Sequence, residues 1–124
     1  MKTSRPVYLN VMKIRMPMSA LVSILHRASG FLLFLFIPFL LWVLQQSLAS
    51  NEGFQALHQA VTSPTGKVLL WIFLSAFIYH LLAGIRHLRM DMGFGESLAG
   101  GRASAQITLF LSIVLIILTG VWLW

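Results

Sequence analysis

The stretch Val68-Leu69-Leu70-Trp71-Ile72-Phe73-Leu74-Ser75-Ala76-Phe77-Ile78-Tyr79-His80-Leu81-Leu82-Ala83-Gly84-Ile85 is apolar or uncharged throughout, except for one ionisable side chain, His80. A run of this length approaches the ~20 residues that an α-helix needs to cross a bilayer. A titratable ring in hydrocarbon is costly, so it is expected to face a protein interior and to have a task there. The chain continues Arg86-His87-Leu88-Arg89-Met90-Asp91, a basic cluster where the apolar run ends.

Two more apolar runs flank this one. Leu21 to Leu48 is interrupted only by His26 and Arg27 near its start, and Ala103 to Trp124 carries no charge. With 58% hydrophobic and 10% charged residues in 124, a soluble domain could not hide its apolar surface. The expected fold is an all-α membrane protein with three transmembrane helices, at about 21–48, 67–89 and 103–124. Residues 1–18 form a cytoplasmic N-terminal segment. The first run is far longer than the ~7–15 residue core of a secretory signal, so cleavage after Ser47-Leu48-Ala49 is not expected. There is no cysteine, which excludes disulfides, thiolate zinc sites and iron–sulfur ligation by this chain.

The net charge of +6 reads as membrane topology and not as a nucleic-acid surface. Lys2, Arg5, Lys13, Arg15 and Arg27 precede or begin the first span, and Arg86, Arg89 and Arg102 lie between the second and third. The loop between the first two spans holds only Lys67 and Glu52. The positive-inside rule then places the N-terminus in the cytoplasm and the C-terminus outside. Trp42, Trp71, Trp122 and Trp124 all fall at the outer ends of their spans, where an aromatic belt is favoured.

Local signals fill in the chain. Pro6 and Pro17 argue against a continuous N-terminal helix. Ser19 is a candidate N-cap for the first span, and Pro38 should kink it. Residues 49–66 read as an outer loop with Asn51, Gly53, Pro64 and Gly66 as breakers, holding a short interfacial helix from Phe54 to Val61. Met92 to Gly101 reads as a glycine-rich inner loop. Thr108 and Ser112, one turn apart, mark a helix-packing face on the third span.

Two constellations share one membrane edge. Ser23, His26 and Arg27 begin the first span; Arg86, His87 and Arg89 end the second. Antiparallel helices bring both groups to the same depth. His80 lies nine residues before Arg89, about 13 Å along a helix. That spacing suits a haem set edge-on in a bundle, with iron on His80 and carboxylates among His26, Arg27 and His87. Gly84, one turn from His80, would let a flat macrocycle lie close. No second ligand stands at mid-membrane depth, so a six-coordinate haem would draw one from another chain.

Each of these residues also has a plainer reading. His80 could hydrogen-bond across helices to Ser75, Tyr79 or a neighbour. Arg86 and Arg89 could be positive-inside residues only. Ser23 could bond back to a carbonyl one turn earlier. Asp91 could serve proton uptake, cap its helix, or pair with Arg89. His58, in the outer loop, has no assigned role.

The motifs Arg5-Pro6-Val7, Val11, Met18, Ser23-x-x-His26-Arg27-x-Ser29 and His80-x-x-x-Gly84-Ile85-Arg86-His87-Leu88-x-Met90-Asp91-x-Gly93 resemble those of the cytochrome b membrane-anchor subunits of succinate dehydrogenase, respiratory complex II, in its bacterial form. The resemblance extends over essentially the whole chain. It implies that the three transmembrane helices are part of a heterodimeric anchor bundle, with a haem b shared with a second small membrane-anchor subunit and His80 as iron ligand from this chain. It implies that Ser23 and Arg27 line a ubiquinone site, with His26, Arg27 and His87 near the haem propionates. It implies a flavoprotein subunit holding FAD and an iron–sulfur subunit holding the clusters, both docked on the cytoplasmic face of the bacterial inner membrane. Succinate oxidation would then sit on another chain. In chemical terms, Ser23 can donate a hydrogen bond to a quinone carbonyl, and Arg27 can stabilise negative charge there without losing its own proton. Two other functions fit the same architecture: a fumarate reductase anchor, and a non-redox tether or assembly subunit. A transporter fits poorly, since the spans carry no acidic residue and no internal symmetry.

Overall fold

The computed structural model describes residues 15–124. Lys2, Arg5, Pro6, Lys13 and the Arg5-Pro6-Val7 and Val11 parts of the first motif lie outside the described residues. Four helices follow one another: α1 Met18–Ala49, α2 Asn51–Thr62, α3 Pro64–Asp91 and α4 Leu98–Leu123. There is no strand among the described residues. Helices α1, α3 and α4 are each long and apolar enough to cross a bilayer. At 1.5 Å per residue the 32 residues of α1 reach about 48 Å, well beyond a ~30 Å hydrocarbon core, so its ends stand in the headgroup region or the helix tilts.

The helix starts differ from the sequence expectation in an instructive way. Ser19 is not the N-cap of α1. Pro17 holds that position in an extended conformation (φ −63°, ψ 153°), and its carbonyl accepts from Ala20 N–H at 3.0 Å and Leu21 N–H at 3.2 Å. Helix α1 runs unbroken through Pro38. The other three helices begin with one device, a serine whose hydroxyl accepts the N–H of a glycine three residues on. The pairs are Ser50 with Gly53 at 3.0 Å, Ser63 with Gly66 at 3.1 Å, and Ser97 with Gly100 at 3.0 Å. Serine in this position satisfies one of the orphan donors of a first turn. The glycines that read as loop breakers are therefore helical. Gly53 is small because α2 folds back tightly on α1: a Cβ there would lie 2.6 Å from the Gln46 carbonyl oxygen. The connection from α3 to α4 is a true turn, with Gly93 at φ 86° and Gly95 at φ 77°, values that favour glycine.

Short single-residue joints, Ser50 and Ser63, bring α2 against the C-terminal end of α1 and the N-terminal end of α3. Phe54, Leu57 and Val61 recur at helical spacing on α2, and none of its residues is buried, as suits a helix lying in the interface.

The three long helices meet along small side chains. Val22 of α1, Ala83 of α3 and Ala105 of α4 are buried, with Met18, Tyr79 and Leu109 packed around them. Gly101, Thr108 and Ser112 line the same face of α4. Thr108 and Ser112 donate back to Ser104 O and Thr108 O, so their contribution to the helix contact is small volume, not an interhelical hydrogen bond. Small residues allow close backbone approach where lipid offers no hydrophobic drive for association. Large side chains such as Phe31, Phe34 and Phe110 point outward. Polar anchors fix the register. Tyr79 donates its hydroxyl to Val22 O at 2.8 Å, and Trp71 donates its indole N–H to Ile116 O at 2.9 Å.

Candidate haem and quinone site

Helices α1 and α3 run antiparallel, so the early turns of α1 meet the late turns of α3. His80 projects from α3 against residues 26–30 of α1. Its Nδ1 lies 3.1 Å from the His26 carbonyl oxygen and 3.1 Å from Ser29 Oγ. A carbonyl can only accept, so the proton belongs on Nδ1. Ser29 Oγ donates to the same carbonyl at 2.8 Å. The neutral ring is then left with its lone pair on Nε2, the form that binds iron, and a metal-ligating histidine commonly donates its other N–H in this way. The residues present therefore fit an axial haem ligand. Of the partners named for the plainer reading, Ser75 donates to Trp71 O and Tyr79 to Val22 O, and the cross-helix hydrogen bond which that reading expects is made instead to the His26 carbonyl on α1.

The imidazole of His26 stacks on that of His80, with centroids 4.3 Å apart and planes 20° from parallel. Face-to-face rings direct their nitrogens sideways, so this pair does not bracket one iron atom. His26 also lies 6.2 Å from the ring of His87. The space beside Gly84 holds the His26 ring, whose Nε2 would stand 3.5 Å from a Cβ at that position. Close approach at Gly84 is thus made by His26 in this structure.

Ser23 is half-buried and lines a cavity of about 370 Å³ with Ser19, Arg86, His87, Met90, Asp91 and Glu96. Arg27 is exposed and does not line it. The helical spacing that groups Ser23, His26 and Arg27 in sequence is divided by the fold: Ser23 and His26 turn toward α3, and Arg27 turns outward. His87 is exposed and its Nδ1 lies 3.3 Å from Asp91 Oδ2, so the partner of Asp91 is His87 and not Arg89. Residue Met92, not Asp91, closes the helix.

Sequence reading missed two features. Arg86 is only 8% exposed. Its Nε–H donates to Ser104 Oγ at 3.0 Å and its Nη2 to Gly101 O at 3.2 Å, which ties α3 to α4. Its adjacency to Arg89 in sequence hid this, because only the α4 contact separates a buried cation from a surface one. The second is the pair Ser29-Gly30. Two small residues one turn after His26 were the available signal for a side chain arriving from another helix.

Residues 1–119 match the family model described as succinate dehydrogenase/fumarate reductase transmembrane subunit. Curated relatives agree along the chain. A succinate dehydrogenase cytochrome b556 subunit of Coxiella burnetii is 46% identical, with both chains covered in full. A protein of the same name from Paracoccus denitrificans is 34% identical over 94% of this chain and 89% of its own. Another, from Rickettsia typhi, is 35% identical over 81% of this chain and 77% of its own. With three membrane-spanning helices and matches of this extent, the chain belongs to the succinate dehydrogenase/fumarate reductase transmembrane-subunit family.

Proposed function

We propose that this chain is the haem b-binding anchor subunit of a succinate:ubiquinone oxidoreductase in the bacterial inner membrane, and that it contributes to the quinone-reduction site. The relatives' printed names, each a cytochrome b556 subunit of succinate dehydrogenase, support both the haem and the direction of the reaction. The N-terminus and the α3–α4 turn face the cytoplasm, where a flavoprotein subunit with FAD and an iron–sulfur subunit dock. A second small anchor subunit completes the bundle.

The observation that carries this reading is the setting of His80. The His26 carbonyl holds its Nδ1–H, and Nε2 is left to bind iron at membrane depth. When bound, haem supplies a one-electron store between the two anchors. Because His26 stacks on His80, it could not serve as a further ligand to the same iron, and a histidine of the second anchor subunit would supply one. His26, Arg27 and His87 stand toward the cytoplasmic edge, where propionates need cations and donors.

Ser23 and Arg27 serve the quinone. The Ser23 hydroxyl can donate to a quinone carbonyl oxygen from the cavity side, and the Arg27 guanidinium, on the outward side of the same helix, can stabilise developing negative charge on the quinone while keeping its proton. Ser23 opens on a cavity whose other walls include His87, Asp91 and Glu96. These groups can hold and pass protons between cytoplasm and cavity. Arg27 faces outward, toward the side on which a partner subunit would complete the site.

The test is a reduced-minus-oxidised visible spectrum of membranes carrying the whole complex with His80→Leu. The low-spin b-haem bands should disappear while the chain remains in the membrane. Unchanged bands in the purified variant complex would remove His80 as ligand.

A further inference from the structure

Gly30 sits in the interior of α1, where alanine is a better helix former. Its surroundings account for it. The three heavy atoms nearest to a Cβ built on Gly30 all belong to His80: Cε1 at 2.8 Å, Nδ1 at 3.3 Å and Nε2 at 3.7 Å. The first distance is one that real Cβ atoms essentially never show, so a methyl at position 30 and the imidazole cannot both keep their places. The contact is with a ring wedged between two helices, not with the free end of a flexible chain. At Gly84 the corresponding Cβ would meet His26 Nε2 at 3.5 Å, ordinary van der Waals contact. Of these two glycines on the α1–α3 seam, Gly30 alone is demanded by an imidazole.

The neighbouring residue completes the enclosure. Ser29 is buried at 9% exposure, and its hydroxyl bridges the His26 carbonyl and His80 Nδ1 at 2.8 and 3.1 Å. One turn of α1 therefore meets the ring in two ways. The missing side chain of Gly30 sets how near the ring lies to α1. The Ser29 hydroxyl and the His26 carbonyl set its rotation about the Cβ–Cγ bond. Distance and rotation together fix the direction of the Nε2 lone pair.

We propose that Gly30 and Ser29 are positioning residues, a socket on α1 that holds the His80 ring in the one setting from which Nε2 would bind the haem iron. The proposal rests on His80 being the ligand. A histidine placed only to glue two helices needs one hydrogen bond and tolerates a range of ring settings. A ligand needs one setting, and the socket provides it.

The test uses the complete purified complex with three variants, Gly30→Ala, Ser29→Ala and His80→Leu. Three properties are read in each: haem per complex, the low-spin EPR g values with the haem midpoint potential, and succinate oxidation with an artificial acceptor as a check on assembly. In Gly30→Ala the haem content should fall several-fold, or the low-spin signal should shift or turn partly high-spin, with acceptor activity kept. Helix weakening would not explain such a result, since alanine strengthens α1. Ser29→Ala should retain haem with a shifted midpoint potential. Wild-type g values and potential in Gly30→Ala, alongside loss of haem in His80→Leu, would overturn the socket and leave the ligand in place. Haem retained in His80→Leu would overturn the ligand reading and the socket together. Should Gly30→Ala fail to assemble, Ser29→Ala decides: a shifted potential supports the socket and an unchanged one overturns it.

Discussion

Arg86 on α3 donates its Nε–H to the Ser104 hydroxyl on α4 at 3.0 Å, and the same guanidinium reaches Gly101 O one turn earlier. At 8% exposure this is a buried cation, and no carboxylate pairs with it among the described residues. Neutral oxygens carry the whole of its observed hydrogen bonding, from two successive turns of one helix. That arrangement fixes α4 against α3 in rotation and in register.

Removing the guanidinium should therefore loosen α4. Hydrogen bonds to charged groups contribute about 1.5–3 kcal/mol, so Arg86→Met should destabilise the purified complex by a value in that range. Arg86→Lys keeps the charge without the planar fork and should recover only part of the loss. Unfolding of the purified complex by heat or by sodium dodecyl sulfate measures both. A methionine variant as stable as the parent would show that the Ser104 and Gly101 contacts are dispensable.

The opposite end of the α3–α4 pair, where α3 begins and α4 ends, has its own anchor. The Trp71 indole donates to Ile116 O at 2.9 Å, and a Cβ on Gly120 would come within 3.2 Å of Trp71 Nε1. Interhelical hydrogen bonds in bilayers average about 0.6 kcal/mol and reach about 1.7 kcal/mol. Trp71→Phe should cost an amount in that range. Gly120→Leu should cost more, because the indole must move as well. Both are read from the same unfolding curves, and a Gly120→Leu complex at parental stability would contradict the packing at that end.

Topology can be checked without any cofactor, since the chain has no native cysteine. Single cysteines at Gln55 in α2 and Ala99 in the first turn of α4, both exposed, should react with a membrane-impermeant reagent from opposite faces. Gln55→Cys should label from outside and Ala99→Cys only from the cytoplasmic side, as the charge bias requires. Labelling of both from one side would remove α3 as a membrane crossing.

Quinone chemistry should separate from succinate chemistry at Ser23 and Arg27. Loss of one donor to a developing oxyanion costs ~2.7–4 kcal/mol, or 10²–10³ in rate. Arg27→Leu should lower ubiquinone reduction by about that factor, with succinate oxidation by an artificial acceptor near normal. Ser23→Ala should do so to a smaller degree, because water in the adjoining cavity can replace a hydroxyl. Haem content must be measured in the same preparations. Full ubiquinone reductase activity in both variants, with haem and assembly intact, would place the quinone elsewhere.

What the sequence determined by itself rests on composition and period, which need no knowledge of neighbours. Three apolar runs long enough to cross a bilayer, with Arg27 the one formally charged residue among them, can satisfy their backbone only as helices, so the all-α spans could be read directly from Leu21–Leu48, Val68–Ile85 and Ala103–Trp124. The Thr108 and Ser112 packing face could be read too, because small size at helical spacing is a local property, and both residues are buried. The Ser-x-x-Gly starts of α2, α3 and α4 were equally local, yet glycine is so strong a breaker signal that Gly53, Gly66 and Gly100 read as loop.

The tertiary structure alone decided which atoms meet. Arg86 and Arg89 are alike in sequence, and only the approach of Gly101 and Ser104 buries one of them. Spacing grouped Arg27 with Ser23, but the direction in which α3 packs sends Ser23 toward a shared cavity and leaves Arg27 exposed. The His80 tautomer and the need for Gly30 depend on distances of about 3 Å between two helices some fifty residues apart in the chain. Hydrophobic periodicity fixes which face of a helix is apolar, and carries no information at that precision about what will press against it.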